Sequence, residues 1–320
     1  MSLPGRKPDM QNKLITNVVF TRNRPLQLDG YLRSLRKFFP ADQVQVYIIY
    51  KVERFGEEYE SVFSQYPDVE VIRESNFHCD MLEVLSRVDT EYILFGIDDV
   101  IFFDGVSLAL IEKTFEKAGD DIFGFTMRFS PELVREGGDE VRDVSVGNDK
   151  VYKLHWPGGH TKHTRYPFEL CSTVYRASLV RNVISHTMSG NSIARGLFSP
   201  GSGLMRAWSR IASPRSLLKK FGFFYSPNTL ESWPCRWCRN HSGELPGFTY
   251  FQKICAVAIQ VNMVNTSTRN EHYGTDEHTV EALNAKYREG YVLDIDFVAA
   301  CKPPKAGGGP ECFRLTRASR

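Results

Sequence analysis

The chain has 320 residues, 42 % of them hydrophobic and 24 % charged, and 40 basic against 38 acidic residues leave a formal net charge of +2. That length allows one large domain or two closely joined ones. The apolar content excludes a disordered chain, and the near-zero charge argues against a nucleic-acid binder. No apolar run approaches the ~20 residues that span a bilayer. The polar, basic start has no apolar stretch of the kind a secretory signal carries, so the expected location is the cytoplasm.

Residues 14–20 (LITNVVF) predict a strand that ends in Thr21-Arg22-Asn23-Arg24-Pro25. Over 26–39, Leu28, Tyr31, Leu32, Leu35 and Phe38 recur at helical spacing until Pro40 stops the helix. A strand at 44–50, a helix at 57–66, a strand at 69–72 and a helix at 80–88 follow. Residues 92–97 (YILFGI) are apolar almost throughout, as a strand buried on both faces should be. Next come a helix at 105–117, a strand at 122–128, an acidic loop or short hairpin at 137–150 and a turn-rich stretch at 151–163. A strand at 171–175, a helix at 177–185 and a Gly- and Ser-rich segment at 188–204 precede a basic amphipathic helix at 205–221. A helix around 250–256 leads into a strand at 257–262, a helix stops at Gly290 before a last strand, and 300–320, with KPPKAGGGP, reads as a flexible tail.

Strands separated by helices imply βαβ units and a mostly parallel, Rossmann-like α/β sheet flanked by helices. Residues 1–130 form the regular half and 131–299 a less regular half of the same domain. In open parallel sheets ligands bind beyond the carboxyl ends of the strands. Thr21 to Arg24 and the pair Asp98-Asp99 both fall at such ends, so one crevice should hold both. The chain has neither G-x-G-x-x-G nor G-x-x-x-x-G-K-[ST], and the dinucleotide and P-loop cradles are missing.

Two adjacent carboxylates behind a buried strand are costly unless a cation answers them, and their oxygens suit Mg²⁺ or Mn²⁺ together with substrate phosphates. Charge is also segregated: residues 170–230 hold no Asp or Glu but eight Lys and Arg, among them Arg206, Arg210, Lys219 and Lys220. Such a face suits an anionic partner, and for 205–221 peripheral contact with an anionic membrane. The seven scattered cysteines do not form a disulfide framework. Cys235-Arg-Trp-Cys238, with Cys255 or His241 near, is half of a zinc site at most. His155, His160 and His163, and later His272 and His278, read as ordinary loop histidines or as one late metal ligand.

The run strand, T-R-N-R-P, helix, then E-Y-I-L-F-G-I-D-D-V-I-F resembles the GT-A nucleotide-sugar glycosyltransferases, especially the family 2 type, over about residues 14–103. The resemblance implies a hexosyltransferase of polysaccharide biosynthesis. It would move a sugar from a nucleotide-diphosphate sugar to a glycan or lipid-linked acceptor, by inversion and with a divalent metal. Residues 1–130 would then hold the donor and 131–299 the acceptor. It puts Thr21, Arg22 and Arg24 against the nucleotide, Asp99 on the metal, Asp98 on the ribose or the metal, and Asn76 and Asp80 near the nucleotide. The sequence departs from the family at Ile97, where the first acid of D-x-D would stand, and at Tyr50-Lys51, where relatives carry an acid and Glu53 is the nearest here. For Asn76 and Asp80, helix N-capping is the plain alternative. Inversion requires a carboxylate to take the acceptor proton. Glu231, in what reads as a rigid Pro-Asn loop, is preferred to Glu169, with Asp139 or Glu140 third; a helix N-terminal acid is the alternative for Glu231. A nucleotidyltransferase acting on sugar phosphates would show G-x-G-x-R after the first strand. Ile97 and Tyr50-Lys51 also leave open a catalytically decayed carbohydrate-binding or interaction protein.

Overall fold

The computed structural model describes residues 13–188, 223–245, 247–262, 264 and 274–318. The expected helix at 205–221, with the proposed membrane contact, lies outside the described residues, as does His272. Among the described residues no helix is long and apolar enough to cross a membrane.

The first half follows the expected alternation: β1 (Ile15–Arg22), α1 (Pro25–Phe38), β2 (Val44–Lys51), α2 (Gly56–Gln65), β3 (Glu70–Arg73), α3 (Phe77–Arg87), β4 (Tyr92–Ile97), β5 (Val100–Phe102), α4 (Leu108–Ala118) and β6 (Ile122–Thr126). Then come α5 (Pro131–Glu136), the hairpin β7 (Arg142–Val146) and β8 (Asp149–Leu154), β9 (Thr173–Arg176) and α6 (Ala177–Met188). The described remainder holds α7 (Pro227–Asn240), β10 (Gly247–Tyr250), β11 (Ala256–Ile259), α8 (Val280–Arg288), β12 (Tyr291–Leu293), α9 (Ile295–Cys301), β13 (Gly307–Gly308) and β14 (Leu315–Arg317).

Nine strands form one sheet in the order β3-β2-β1-β4-β9-β6-β10-β8-β7. The pairings leave seven strands pointing one way, with only β9 and β8 reversed. The expected α/β class with a mostly parallel sheet is therefore present. Alternate residues of β1 and β4 feed two separate cores. Ile15, Val19 and Leu94 pack with Leu28, Tyr31 and Leu35 of α1 on one face. Val18, Phe20, Ile93 and Phe95 pack with α3, α6 and α7 on the other. Burial on both faces is why these strands read as continuous apolar runs.

Three readings of the second half change. The stretch 250–256 is not a helix: β10 pairs with β6 and β8, and β11 pairs with β5 and β13. Its apolar residues are shared between two sheets, and no single helical face is needed. The presumed rigid loop around Glu231 is the long helix α7, started by Pro227 in its first turn with Ser226 and Thr229 as a capping box. Pro234 lies inside it. The expected flexible tail is fixed through residue 318, because β13 adds to β11 and β14 pairs with β12. Gly307 and Gly308 serve as strand residues there.

Candidate functional site

The turn after β1 is built by its own residues. Asn23 takes a left-handed backbone (φ 53°), which Asn tolerates better than most residues. Its side-chain oxygen accepts from the Glu53 and Arg54 N–H groups, and its amide donates to Glu53. Pro25 then starts α1. Tyr59 Oη bonds Thr21 Oγ1 at 2.7 Å and accepts from the Arg24 N–H at 3.0 Å. This geometry turns the Arg24 guanidinium back over the end of β4.

There Arg24 Nη1 lies 2.9 Å from Asp98 Oδ1 and 3.2 Å from Asp99 Oδ2, while Nη2 donates to the Asn262 carbonyl. Gln27 donates to the Asn262 side chain. Arg24 and Asp98 are almost fully buried. Burial opposes the Arg24 charge, but Asp98 and then Asp99 outweigh it and raise its pKa above the ordinary value. For Asp99, burial is the largest effect and Arg24 the second, which leaves its carboxyl raised to about 6. Its Oδ1 is buried without a hydrogen-bond partner among the described residues. One orphaned carboxylate oxygen beside a second carboxylate is a donor set that fits a hard divalent cation completed by substrate phosphates. Asp99 would supply that oxygen, with Asp98 next to it.

A second group of polar residues gathers at the same edge. Because β9 runs antiparallel between β4 and β6, the residues that precede it emerge where β4 and β6 end. Glu169, Cys171 and Glu231 bring one donor atom each within 4.8 Å of one another, and Arg128, just beyond β6, approaches Glu169 at 3.3 Å. Glu169 is spoken for: it accepts from the N–H groups of Cys171 (2.7 Å) and Ser172 (3.1 Å) and from Thr173 Oγ1. Glu231 sits in the second turn of α7, accepting from the Leu170 N–H at 3.2 Å, with the Tyr166 side chain nearby. Burial, then the charge of Glu169, raise its carboxyl to about 7, against the pull of Leu170, Arg128 and Tyr166. A carboxylate with that pKa can take a proton near neutral pH. Arg128 and Cys171 also line a cavity of about 880 Å³ that continues past Thr161, Lys162 and the strand Gly307–Gly308.

Of the other expected residues, Arg22 stays at this edge and the rest lie elsewhere. Arg22 pairs with half-exposed Glu53 at 3.0 Å, and its N–H points to Asp98. Asn76 caps α3 by accepting from the Cys79 N–H, and Asp80 accepts from the N–H groups of Ser75 and Asn76. Lys51 pairs with Glu74. Asp139 is held by His160, and Glu140 by Arg142 on the surface. His278 closes on Thr275. Cys235 and Cys238 are buried in the apolar core on the inner side of α7, where burial raises both thiols. Local sequence pattern does not mark Arg128, Tyr166 or Cys171 as site residues, apart from one signal at Arg128, a charge directly behind a buried strand, the same signature that marks Arg22 and Asp98.

No family model matches the chain. Over 205 residues it is 23 % identical to the bifunctional glycosyltransferase pgtA of Dictyostelium discoideum, a match that covers 57 % of this chain and 26 % of that protein. In sequence, the chain is similar to a glycosyltransferase. It spans about a quarter of that relative's length. Among solved structures, S. aureus TarS matches at 15 % identity with a TM-score of 0.37, covering 53 % of this chain and 29 % of that one. TarS 1–349 in complex with UDP-GlcNAc matches at 15 % identity with a TM-score of 0.36, covering 53 % and 47 %. That overlap is too loose to assign a ligand to this chain.

Proposed function

We propose that the protein is a metal-dependent, inverting glycosyltransferase that moves a sugar from a nucleotide-diphosphate sugar onto a glycan or lipid-linked acceptor. The observation that carries this reading is the meeting, at one edge of the sheet, of the Asp98–Asp99 pair with its orphaned oxygen and a Glu231 carboxyl raised to about 7. The sequence likeness to pgtA points the same way.

In this reading Arg22 and Arg24 bind the donor's phosphates, and Thr21 and Tyr59 hold Arg24 in place. A divalent cation on Asp99 and Asp98 would neutralise the departing diphosphate as a Lewis acid. The acceptor enters from the cavity beyond Arg128. Its hydroxyl oxygen bonds to the anomeric carbon as the bond from that carbon to the phosphate oxygen breaks, and Glu231 takes the hydroxyl proton. Glu169 and Arg128 fix the Glu231 surroundings and its proton affinity.

Calorimetry of nucleoside diphosphates and their sugars, with and without Mn²⁺, tests the reading. Mn²⁺-linked binding that Asp99→Asn abolishes is the expected result. Binding indifferent to both would remove the metal, and the absence of any nucleotide binding would overturn the whole reading.

A further inference from the structure

The segment between β8 and β9 and the end of α7 enclose a second concavity of about 660 Å³, lined by His160, Lys162, Arg165, Tyr166 and Arg239. Lys162, Arg165 and Arg239 are exposed. Among the described residues, His160 Nδ1 lies 2.9 Å from Asp139 Oδ1, and none of Lys162, Arg165 and Arg239 lies within ion-pair distance of a carboxylate. A protein surface ordinarily mixes both signs. Converging like charges in a concave site focus their potential on whatever enters. Two guanidinium groups add the forked geometry that grips phosphate or carboxylate oxygens.

The cleft is joined to the chemistry on both sides. Tyr166 lines it and its side chain also neighbours Glu231. Lys162 lines both this cleft and the larger cavity next to Arg128 and Cys171. The donor's phosphates have their own cations, Arg22 and Arg24, beside the ends of β1 and β4. We propose that Lys162, Arg165, Arg239 and Tyr166 form a subsite for a fixed negative charge, phosphate or carboxylate, on the acceptor glycan. The proposal rests on the glycosyl-transfer reading and narrows its acceptor to anionic saccharides. A flat anionic bilayer does not follow a concavity centred on a tyrosine, which favours a glycan over a membrane.

The test pairs charged oligosaccharides with neutral partners of the same backbone: oligogalacturonate with its methyl ester, and a phosphodiester-linked oligosaccharide with its dephosphorylated form. Affinities are measured by calorimetry for the wild type, for K162Q/R165Q/R239Q and for K162R/R165K/R239K. At least one charged member should bind about tenfold more tightly than its neutral partner, an effect the size of three modest ion pairs. The glutamine triple variant should lose that preference and the charge-preserving one should keep it. The pair that responds identifies the anion as carboxylate or phosphate. Equal binding of charged and neutral members by the wild type, or a preference surviving in the glutamine variant, overturns the proposal. So does loss of binding to phosphatidylglycerol vesicles with glycan preference unchanged. Nucleotide binding, measured separately on the same samples, should not change in either variant; its absence from the wild type would instead count against glycosyl transfer.

Discussion

Replacing Glu231 by Gln should make the protein more stable and much less active, and the stability gain should depend on pH. The Glu231 carboxyl is raised from 4.5 to about 7 in the folded chain, first by burial and then by Glu169. A carboxyl raised in this way contributes stability that is fully present below pH 4.5 and is lost as pH rises through about 7, because unfolding then releases the proton. The displacement corresponds to roughly 3 kcal/mol, and partial exposure reduces it to about 1–3 kcal/mol. Glutamine stays neutral and keeps an oxygen for the Leu170 N–H. Urea unfolding at about pH 8 should therefore show Glu231→Gln more stable by about 1–3 kcal/mol, with the difference falling below about 1 kcal/mol near pH 5. Sugar transfer should fall by about 10²–10⁴, the usual contribution of a general base. A variant less stable at pH 8, or offset equally at both pH values, would refute the raised carboxyl. Transfer with an unaltered pH profile would refute its role as base.

Removing the neighbouring charge with Glu169→Gln should lower the Glu231 pKa. Two charges about 5 Å apart at an effective dielectric of about 20 interact by roughly 3 kcal/mol, and Arg128 offsets part of this. The acidic limb of the pH–rate profile should move down by about one pH unit or more; an unmoved limb in a folded variant contradicts the coupling. Arg24→Gln leaves Asp98 and Asp99 without their guanidinium, a loss of about 3–5 kcal/mol for a broken buried pair. Mn²⁺ should raise the melting temperature of this variant more than that of the wild type, and an equal rise would show that the metal does not meet these carboxylates. Gly96→Ala would set a Cβ 2.2 Å from Oη of Tyr31, a buried side chain whose hydroxyl donates to Asn17 Oδ1. Chemical denaturation should show a loss of about 1–3 kcal/mol, and a neutral result would mean that Tyr31 moves freely.

The sequence by itself determined the N-terminal half. Short apolar runs alternating with helical spacing yield β1 to β4 and α1 to α3, and the charges placed directly behind β1 and β4 mark the crevice. These are local signals, because β1, β2 and β4 are buried along most of their length, edge strand β3 alone being exposed, and each helix shows its own apolar stripe. Glu231 could be named from its place beside an acid-free stretch, but not its setting. The Pro and Asn that suggested a loop belong to the start of α7, and Pro234 lies within that helix. Tertiary structure decided the rest. Arg24 and Asp98 stand 74 residues apart, and Leu170 and Glu231 stand 61 apart. They meet because the chain returns from edge strand β3 through α3 and lays β4 beside β1, and because one reversed strand, β9, enters between β4 and β6. The 307–308 segment likewise looks like a loop until β11 offers it an edge. Strand reversal, sheet order and the burial that raises Asp99 and Glu231 are properties of packing between distant segments, and periodicity within a segment carries no record of them.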